Sequence, residues 1–582
     1  MPFARKHSRM AIARRTAAAL CVFAAPFAFL AMSAAPERTL IWPIDRPQRI
    51  TGTFCEPRGS RFHLGLDVST GGRKGFAISA ADDGYISTVM YQKWGIGYAI
   101  FITHPDGRKS FYGHMDRFAD RVLGRPEIAS FAEKIMDRVD FRVELGEEAI
   151  PVCRGELIGF SGDSGIGREH FHFEVRDEKG AHLNPLVHGL NVKDDIPPEI
   201  FEFGIAALEE RSHVEGEAAG RRLFPVKKTP DGVYRPLKDG APFAGGVLGF
   251  SVTAADRAGY TSRLAVYRIE LKLDGRPVFE TRFDRMRREE AHHMGLFYDY
   301  SETRGTRYTH YLYSRTGDAG RIDTTRLARN ARVEIIASDA TGNSARLEFD
   351  LAVSPPLNVP VRRPEANLKK GKELRINSAD GAFEVYFDKK AAFYSERVWL
   401  REDPPFKLVV KGLSIKSPVY TVFPEDLCVD RPMNISISYP GEDTRKVGVY
   451  YISPATGRFS YAGGVFDAKT GSFKYTGYRT GGFFLIRDDA PPIARFSSPA
   501  ALTSERPLYI YVSDVGCGVD LSSVVLLVDG KAAKWDYDPD YQRIEILRHN
   551  PIWSKGVHRV ELWLRDGAGN EMKKLTGRYV LR

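Results

Sequence analysis

The chain is predicted to be all-β: an antiparallel β-sheet domain with a short helical insertion, followed by β-sandwich modules. Three observations predict this. Short segments rich in β-branched and aromatic residues, separated by turn residues, fill the first third. A block of Asp-Gly and Gly-Asn turn signals occurs twice in the remainder, in the same order, as expected of repeated β modules. The 582 residues also exceed what one hydrophobic core organises, while 43% hydrophobic and 12% aromatic content supplies several cores.

The first element, residues 1–35, is expected to be a signal peptide. Arg5, Lys6, Arg9, Arg14 and Arg15 precede an apolar run from Ala17 to Met32, and the small residues Ser33, Ala34 and Ala35 follow. At roughly sixteen residues that run is shorter than the ~20 that span a bilayer, so membrane attachment is expected only if the segment stays uncut. Five basic residues and no acid lie before Pro36, so removing the segment lowers the formal charge from +10 to +5. The remaining charges are mixed, with no basic stripe interleaved with stacking aromatics, which excludes nucleic acid as a partner. Mild positive charge suits an anionic cell wall.

Residues 36–193 form the next predicted domain. Gly84 to Tyr91, Tyr98 to His104 and Arg108 to Met115 read as strands, and Pro105-Asp106-Gly107 joins the last two as a hairpin turn. Three motifs carry chemistry: HLGLD from His63, YGH ending at His114, and HFHFE from His170. With side chains alternating along a strand, His63, Gly65 and Asp67 share one face and Leu64, Leu66 and Val68 the other. His170, His172 and Glu174 likewise oppose Phe171, Phe173 and Val175, and Tyr112 is expected on the face of His114. Imidazoles with a carboxylate suit zinc, which in hydrolytic sites takes three protein ligands and keeps one position open. Five candidates therefore divide into three ligands and two further histidines that move protons or hold developing charge. Glu174 is expected to orient His172. His104, His182 and His188 read as ordinary structural histidines.

HxxxD, Tyr-x-His, SGDSG from Ser161, HxHFE and Asn184-Pro185 together resemble the lysostaphin/LytM-type zinc metalloendopeptidases that cut peptidoglycan cross-bridges. The resemblance covers roughly residues 50–185. It implies a metallopeptidase domain with His63, Asp67 and His172 as zinc ligands and His114 and His170 as catalytic histidines. It leaves open which of the two histidines is the general base. The stretch between His114 and His170 is longer than the compact family core. Within it Ile128, Phe131, Ile135, Met136 and Val139 recur at helical spacing, predicting a helical insertion that packs on the sheet edge or forms a lid. Cys55 and Cys153 share this domain and are the expected disulfide pair, because an exported chain meets an oxidising compartment.

Beyond Val192 the repeat begins. DDIPPEI from Asp194 returns as DDAPPI from Asp488, followed in each copy by a D-x-x-G turn at Asp256 and at Asp514, where Gly516 and Gly518 flank Cys517. Each copy then has a hairpin tip, at Asp274-Gly275 and Asp529-Gly530, and ends in D-x-x-G-N, at Asp339 to Asn343 and Asp566 to Asn570. The copies resemble bacterial immunoglobulin-like β-sandwiches, predicted over 194–353 and 488–582. The first copy holds an insertion whose His292-His293 reads as a solvated loop pair. Residues 354–368 read as a proline-rich, basic linker and 369–487 as a β module of unknown role, whose aromatic strands are expected to serve core and cross-strand packing.

The expectation is an exported zinc endopeptidase, periplasmic or associated with the cell envelope. Its substrate would be peptidoglycan peptides, and its β-sandwich modules would be available to a cell-envelope protein partner. The alternative is a non-catalytic, wall-binding regulator of another murein hydrolase, which would not need all five motif residues.

Overall fold

The computed structural model describes residues 38–581 apart from 59–60, 147–149, 219, 258–261, 300–301, 304, 328–329, 359, 361–363, 426, 454–455, 498–507 and 548–553. The expected signal segment lies outside the described residues. The fold is all-β: strands make up half of it, and among the described residues the α-helices are three short ones.

The sheet that carries the motifs is built on β1 (Ile50–Gly52), β2 (Leu66–Ser69), β3 (Gly84–Gln92), β4 (Gly97–Thr103), β5 (Lys109–Phe118), β6 (Leu157–Ser161) and β7 (His170–Arg176). Its order is β1-β2-β7-β5-β4-β3, antiparallel throughout, with β6 added beside β5. Strand β7 lies between β2 and β5, so His172 sits opposite Asp67 on one side and Gly113 on the other. Register alone thus brings three motifs distant in sequence to one place. Phe171, Phe173 and Val175 from β7, with Leu66, Val68, Ile86, Ile100 and Ile158, form the buried core beneath that face.

Two departures from strict alternation matter. Residues 63–65 are not in a strand, so Leu64 turns away from Leu66 and Val68 and packs against a separate cluster around Phe62, Phe283 and Tyr298. Between β4 and β5 the register steps from Tyr98↔Met115 to Ile100↔Tyr112, which places three β5 steps against two in β4. This is a β-bulge, with His114 in the left-handed region at φ 56°. The extra residue separates the faces of Tyr112 and His114. Contrary to expectation, Tyr112 is fully buried, packs on Phe173, and its hydroxyl accepts from the Ala81 amide at 2.8 Å.

The insertion is three short helices, α1 (Asp120–Leu123), α2 (Pro126–Ala129) and α3 (Ala132–Met136). Val122 and Ile128 enter the core while Met136 and Val139 are exposed, so the insertion packs on the sheet. Cys55 and Cys153 do not pair: Cys55 is sealed in the Phe62 cluster, and Cys153 is exposed at the turn after strand Pro151–Val152. No disulfide occurs among the described residues.

Strands Glu199–Ala207, Gly220–Lys228 and Val247–Ala255 pair side by side, and Asn330–Ser338 pairs with Ser344–Val353 around a second core. Strand Arg285–Met286 of this region adds to the motif-bearing sheet beside His182–Leu183. Further on, a five-stranded and a six-stranded sheet enclose one core, and two four-stranded sheets enclose another. Both anticipated hairpin tips are present, with Asp274-Gly275 and Asp529-Gly530 at positive φ as two-residue primed turns require. His292 and His293 are not a solvated pair. His292 Nε2 lies 3.0 Å from the Asp430 carbonyl and His293 Nε2 lies 3.1 Å from its carboxylate, with the rings against Tyr478 and Phe393.

Candidate metal centre

His63, Asp67 and His172 converge. His63 Nε2 lies 3.1 Å from His172 Nδ1 and 3.2 Å from Asp67 Oδ1, which is 2.8 Å from His172 Nδ1. All three side chains are buried. The outward ring atoms are fixed by acceptors: His63 Nδ1 donates to the Thr53 carbonyl at 2.9 Å, and His172 Nε2 donates to Glu174 Oε1 at 3.1 Å. Each ring therefore turns its other nitrogen, the one a metal would take, toward Asp67. Glu174 is itself held by Arg176 at 2.6 Å and lies 3.2 Å from His182.

This donor set fits zinc. Two imidazole nitrogens and one carboxylate oxygen point at a common spot, and Gly65 leaves it clear. A Cβ there would meet the Phe173 carbonyl at 2.6 Å, Glu174 Cγ at 2.8 Å and His172 Cε1 at 2.8 Å. The electrostatics agree. Burial opposes ionisation of Asp67, but the imidazoles of His63, His170 and His172 around it hold its carboxyl well below the usual range. Burial would likewise pull His172 down, yet its bonds to Asp67 and Glu174 hold it up at about 9. The negative field that retains a proton there also attracts a metal cation. His63 is lowered, chiefly by burial, the direction that favours the neutral form a ligand needs.

His114 and His170 stand beside the cluster, with rings 4.4 Å apart. His114 Nδ1 donates to the Ser164 carbonyl at 2.9 Å and His170 Nδ1 to the Arg168 carbonyl at 2.5 Å, so both Nε2 atoms are bare acceptors. His170 Nε2 is 3.4 Å from Asp67 Oδ1, and His170 is the more exposed of the pair. Burial, then His170 and His172, push His114 down to about 3, so it enters neutral. The expected structural role suits His104, whose nitrogens contact the Asp83 carbonyl and Ser110 Oγ, both at 2.8 Å.

Sequence reading missed two features. Arg58 Nη2 lies 2.6 Å from Asp67 Oδ2, which leaves Oδ1 to the histidines; Gly52 gives the guanidinium room, since a Cβ there would overlap it. An Arg preceding a histidine motif carries no spacing signal. The second feature is the loop of the hairpin Trp535–Asp538/Arg543–Ile546, which lies on the lip of the site. Asp540 Oδ2 accepts from the Gly167 amide at 2.6 Å and the Tyr541 hydroxyl donates to Glu169 at 2.9 Å, next to His170. Arg138 and Lys93 anchor the same hairpin through Asp536, each at 2.8 Å.

No family model matches the chain, and no curated protein matches it. Solved structures do match, several of them over about a quarter of the chain. A mutant catalytic domain of the prophage-encoded M23 protein EnpA from Enterococcus faecalis is 24% identical, with a TM-score of 0.18, covering 24% of this chain and 91% of that one. A zinc-containing peptidase from Vibrio cholerae is 22% identical, with a TM-score of 0.18, covering 28% of this chain and 41% of that one. A chain of the SpoIIQ–SpoIIIAH pore-forming complex is 18% identical, with a TM-score of 0.18, covering 26% and 91%.

Proposed function

We propose that this chain is an exported zinc endopeptidase that hydrolyses peptide cross-links of peptidoglycan. The observation that carries the reading is the convergence of His63 Nε2, Asp67 Oδ1 and His172 Nδ1 beside two histidines with bare Nε2 atoms. Zinc bound by these three donors would supply a Lewis acid that brings the pKa of water toward about 7 and polarises a carbonyl.

The chain's own residues do the rest. Thr53 and Glu174 hold the ligand tautomers, and Arg58 holds the second oxygen of Asp67. A bare Nε2 on His114 or His170 accepts the proton of the attacking water as its oxygen bonds to the scissile carbonyl carbon. The same ring, now protonated, hydrogen-bonds the oxyanion and then gives that one proton to the amine as the C–N bond breaks. His170, the more exposed ring, is placed to exchange its proton with solvent, and neutral His114 to accept one inside the site.

One observation favours restraint of this site: the Asp540-Tyr541 loop bonds both residues that flank Arg168. A chain held in that state would bind wall without cutting it, as a regulator of another hydrolase would. Incubating the full chain with cross-linked wall peptides, with and without a chelator, tests the reading. Chelator-sensitive products whose masses equal substrate plus one water, split at an amide, support it; intact peptides under all metal conditions overturn it.

A further inference from the structure

Away from the histidines, the two repeat copies each gather three carboxylates. Asp194, Asp256 and Asp339 offer oxygens that all lie within 4.8 Å of one another, as do Asp488, Asp514 and Asp566. These are the aspartates of the recurring DD, D-x-x-G and D-x-x-G-N signals, one from each motif in each copy.

 The separations are 294, 258 and 227 residues for the first, second and third aspartate, so the clusters match motif by motif. No Lys or Arg forms an ion pair with any of the six among the described residues.

An acidic cluster alone says little. Here Asp256 is only 5% exposed, and its Oδ1 is buried without a hydrogen-bond partner among the described residues. In the second copy the Oδ1 of half-buried Asp514 is in the same condition. A buried, unpartnered carboxylate oxygen facing two more carboxylates is costly unless a cation completes it. Burial, then Asp339 and Asp194, push the Asp256 carboxyl up to about 8, and burial raises Asp514 and Asp566 in the same way.

The rest of each cluster is held alike. Asn343 Nδ2 donates to the Asp194 carbonyl at 3.0 Å and to Asp339 Oδ2 at 2.7 Å; Asn570 Nδ2 donates to the Asp488 carbonyl at 3.0 Å and to Asp566 Oδ2 at 2.8 Å. Carboxylate oxygens without imidazole or thiolate select hard cations. Cys517 borders the second cluster, but burial and its bond to Asp488 keep its thiol protonated, so the donors remain oxygens.

We propose that Asp194, Asp256 and Asp339, and again Asp488, Asp514 and Asp566, form two calcium-type sites, each taking one hard divalent cation. Both stand where one sheet system passes to the next. Asp194 precedes strand Glu199–Ala207, and Asp488 ends strand Gly481–Asp488 of the six-stranded sheet, while Asp514 follows strand Tyr509–Ser513 and Asp566 ends strand Gly556–Asp566 of the last two sheets. The ions would fix those junctions, a role separate from the histidine site.

Calorimetric titration of the full, zinc-loaded chain with calcium chloride tests this. Two ions per chain are expected, with a raised melting temperature. Asp256→Asn and Asp514→Asn should each remove one ion and leave zinc content unchanged. Absence of binding by the unmodified chain at about 10 mM calcium, above the range of weak extracellular sites, overturns the proposal without recourse to any variant. If a folded variant still binds two ions, the site it alters is overturned. Because the readout is calcium and not cleavage, the result is independent of the proposed peptidase activity.

Discussion

Replacing His114 by glycine separates catalysis from architecture. His114 occupies the bulge of β5 at φ 56°, where a non-glycine residue costs roughly 1–2 kcal/mol. Glycine removes that strain but loosens the unfolded chain by about 0.5–1 kcal/mol and forfeits the hydrogen bond to the Ser164 carbonyl, about 0.5–1.5 kcal/mol. These terms nearly cancel, so the melting temperature should move by no more than about 2–4 °C, the shift that 1 kcal/mol produces in a unit of this size. His114→Val, which adds a β-branched side chain to the same φ, should be clearly less stable. Cleavage of wall peptides by His114→Gly should fall roughly 10²–10⁴-fold, the range of a lost acid–base group, while zinc content stays at the wild-type level. Thermal melting, metal analysis and product formation on one preparation check all three. A variant that cleaves within a factor of about 10 of wild type, or one that loses its zinc, would refute the reasoning.

Three other outcomes follow from the geometry. Gly65→Ala places a methyl against the Phe173 carbonyl and His172, so zinc affinity should drop and stability fall by about 1–3 kcal/mol; metal retention after dialysis reads the first and melting the second. His310 is fully buried, burial pushes it down to about 3, and neither ring nitrogen has a hydrogen-bond partner among the described residues. The unfolded chain then takes up a proton below pH ~6.5 that the folded chain refuses, so stability should fall with pH by about 1.4 kcal/mol per unit below that point. His310→Phe should flatten that slope, and an unchanged slope would remove His310 as its source. Asp540→Ala with Tyr541→Ala frees Gly167 and Glu169, and turnover on intact wall should rise while turnover on a short free peptide stays constant; equal rates on wall before and after would show that the loop imposes no restraint.

Much of the site was legible because strands have a period of two. HFHFE placed His170, His172 and Glu174 opposite Phe171, Phe173 and Val175, and the core contains those three apolar side chains. The repeat motifs were equally legible as turns, since Asp-Gly and Gly-Asn record local backbone demands. What pattern could not show is what depends on partners distant in sequence or on a break in the period. The β5 bulge puts Tyr112 in the core and His114 in the site, and no residue type marks it beforehand. Arg58 meets Asp67 only because Gly52 makes room, and Asp540 reaches Gly167 across 373 positions. The expected Cys55–Cys153 bridge failed for the same reason: membership of one domain does not say that one thiol is sealed in the Phe62 cluster and the other exposed.

Zinc content of the full chain, wild type beside Asp67→Ala, bears most directly on the proposed metal centre. Metal analysis after exhaustive dialysis should find one zinc per wild-type chain and none in the variant, with cleavage lost in step. A wild-type chain that holds no zinc when offered it, or a variant that retains it, would contradict the account at its root.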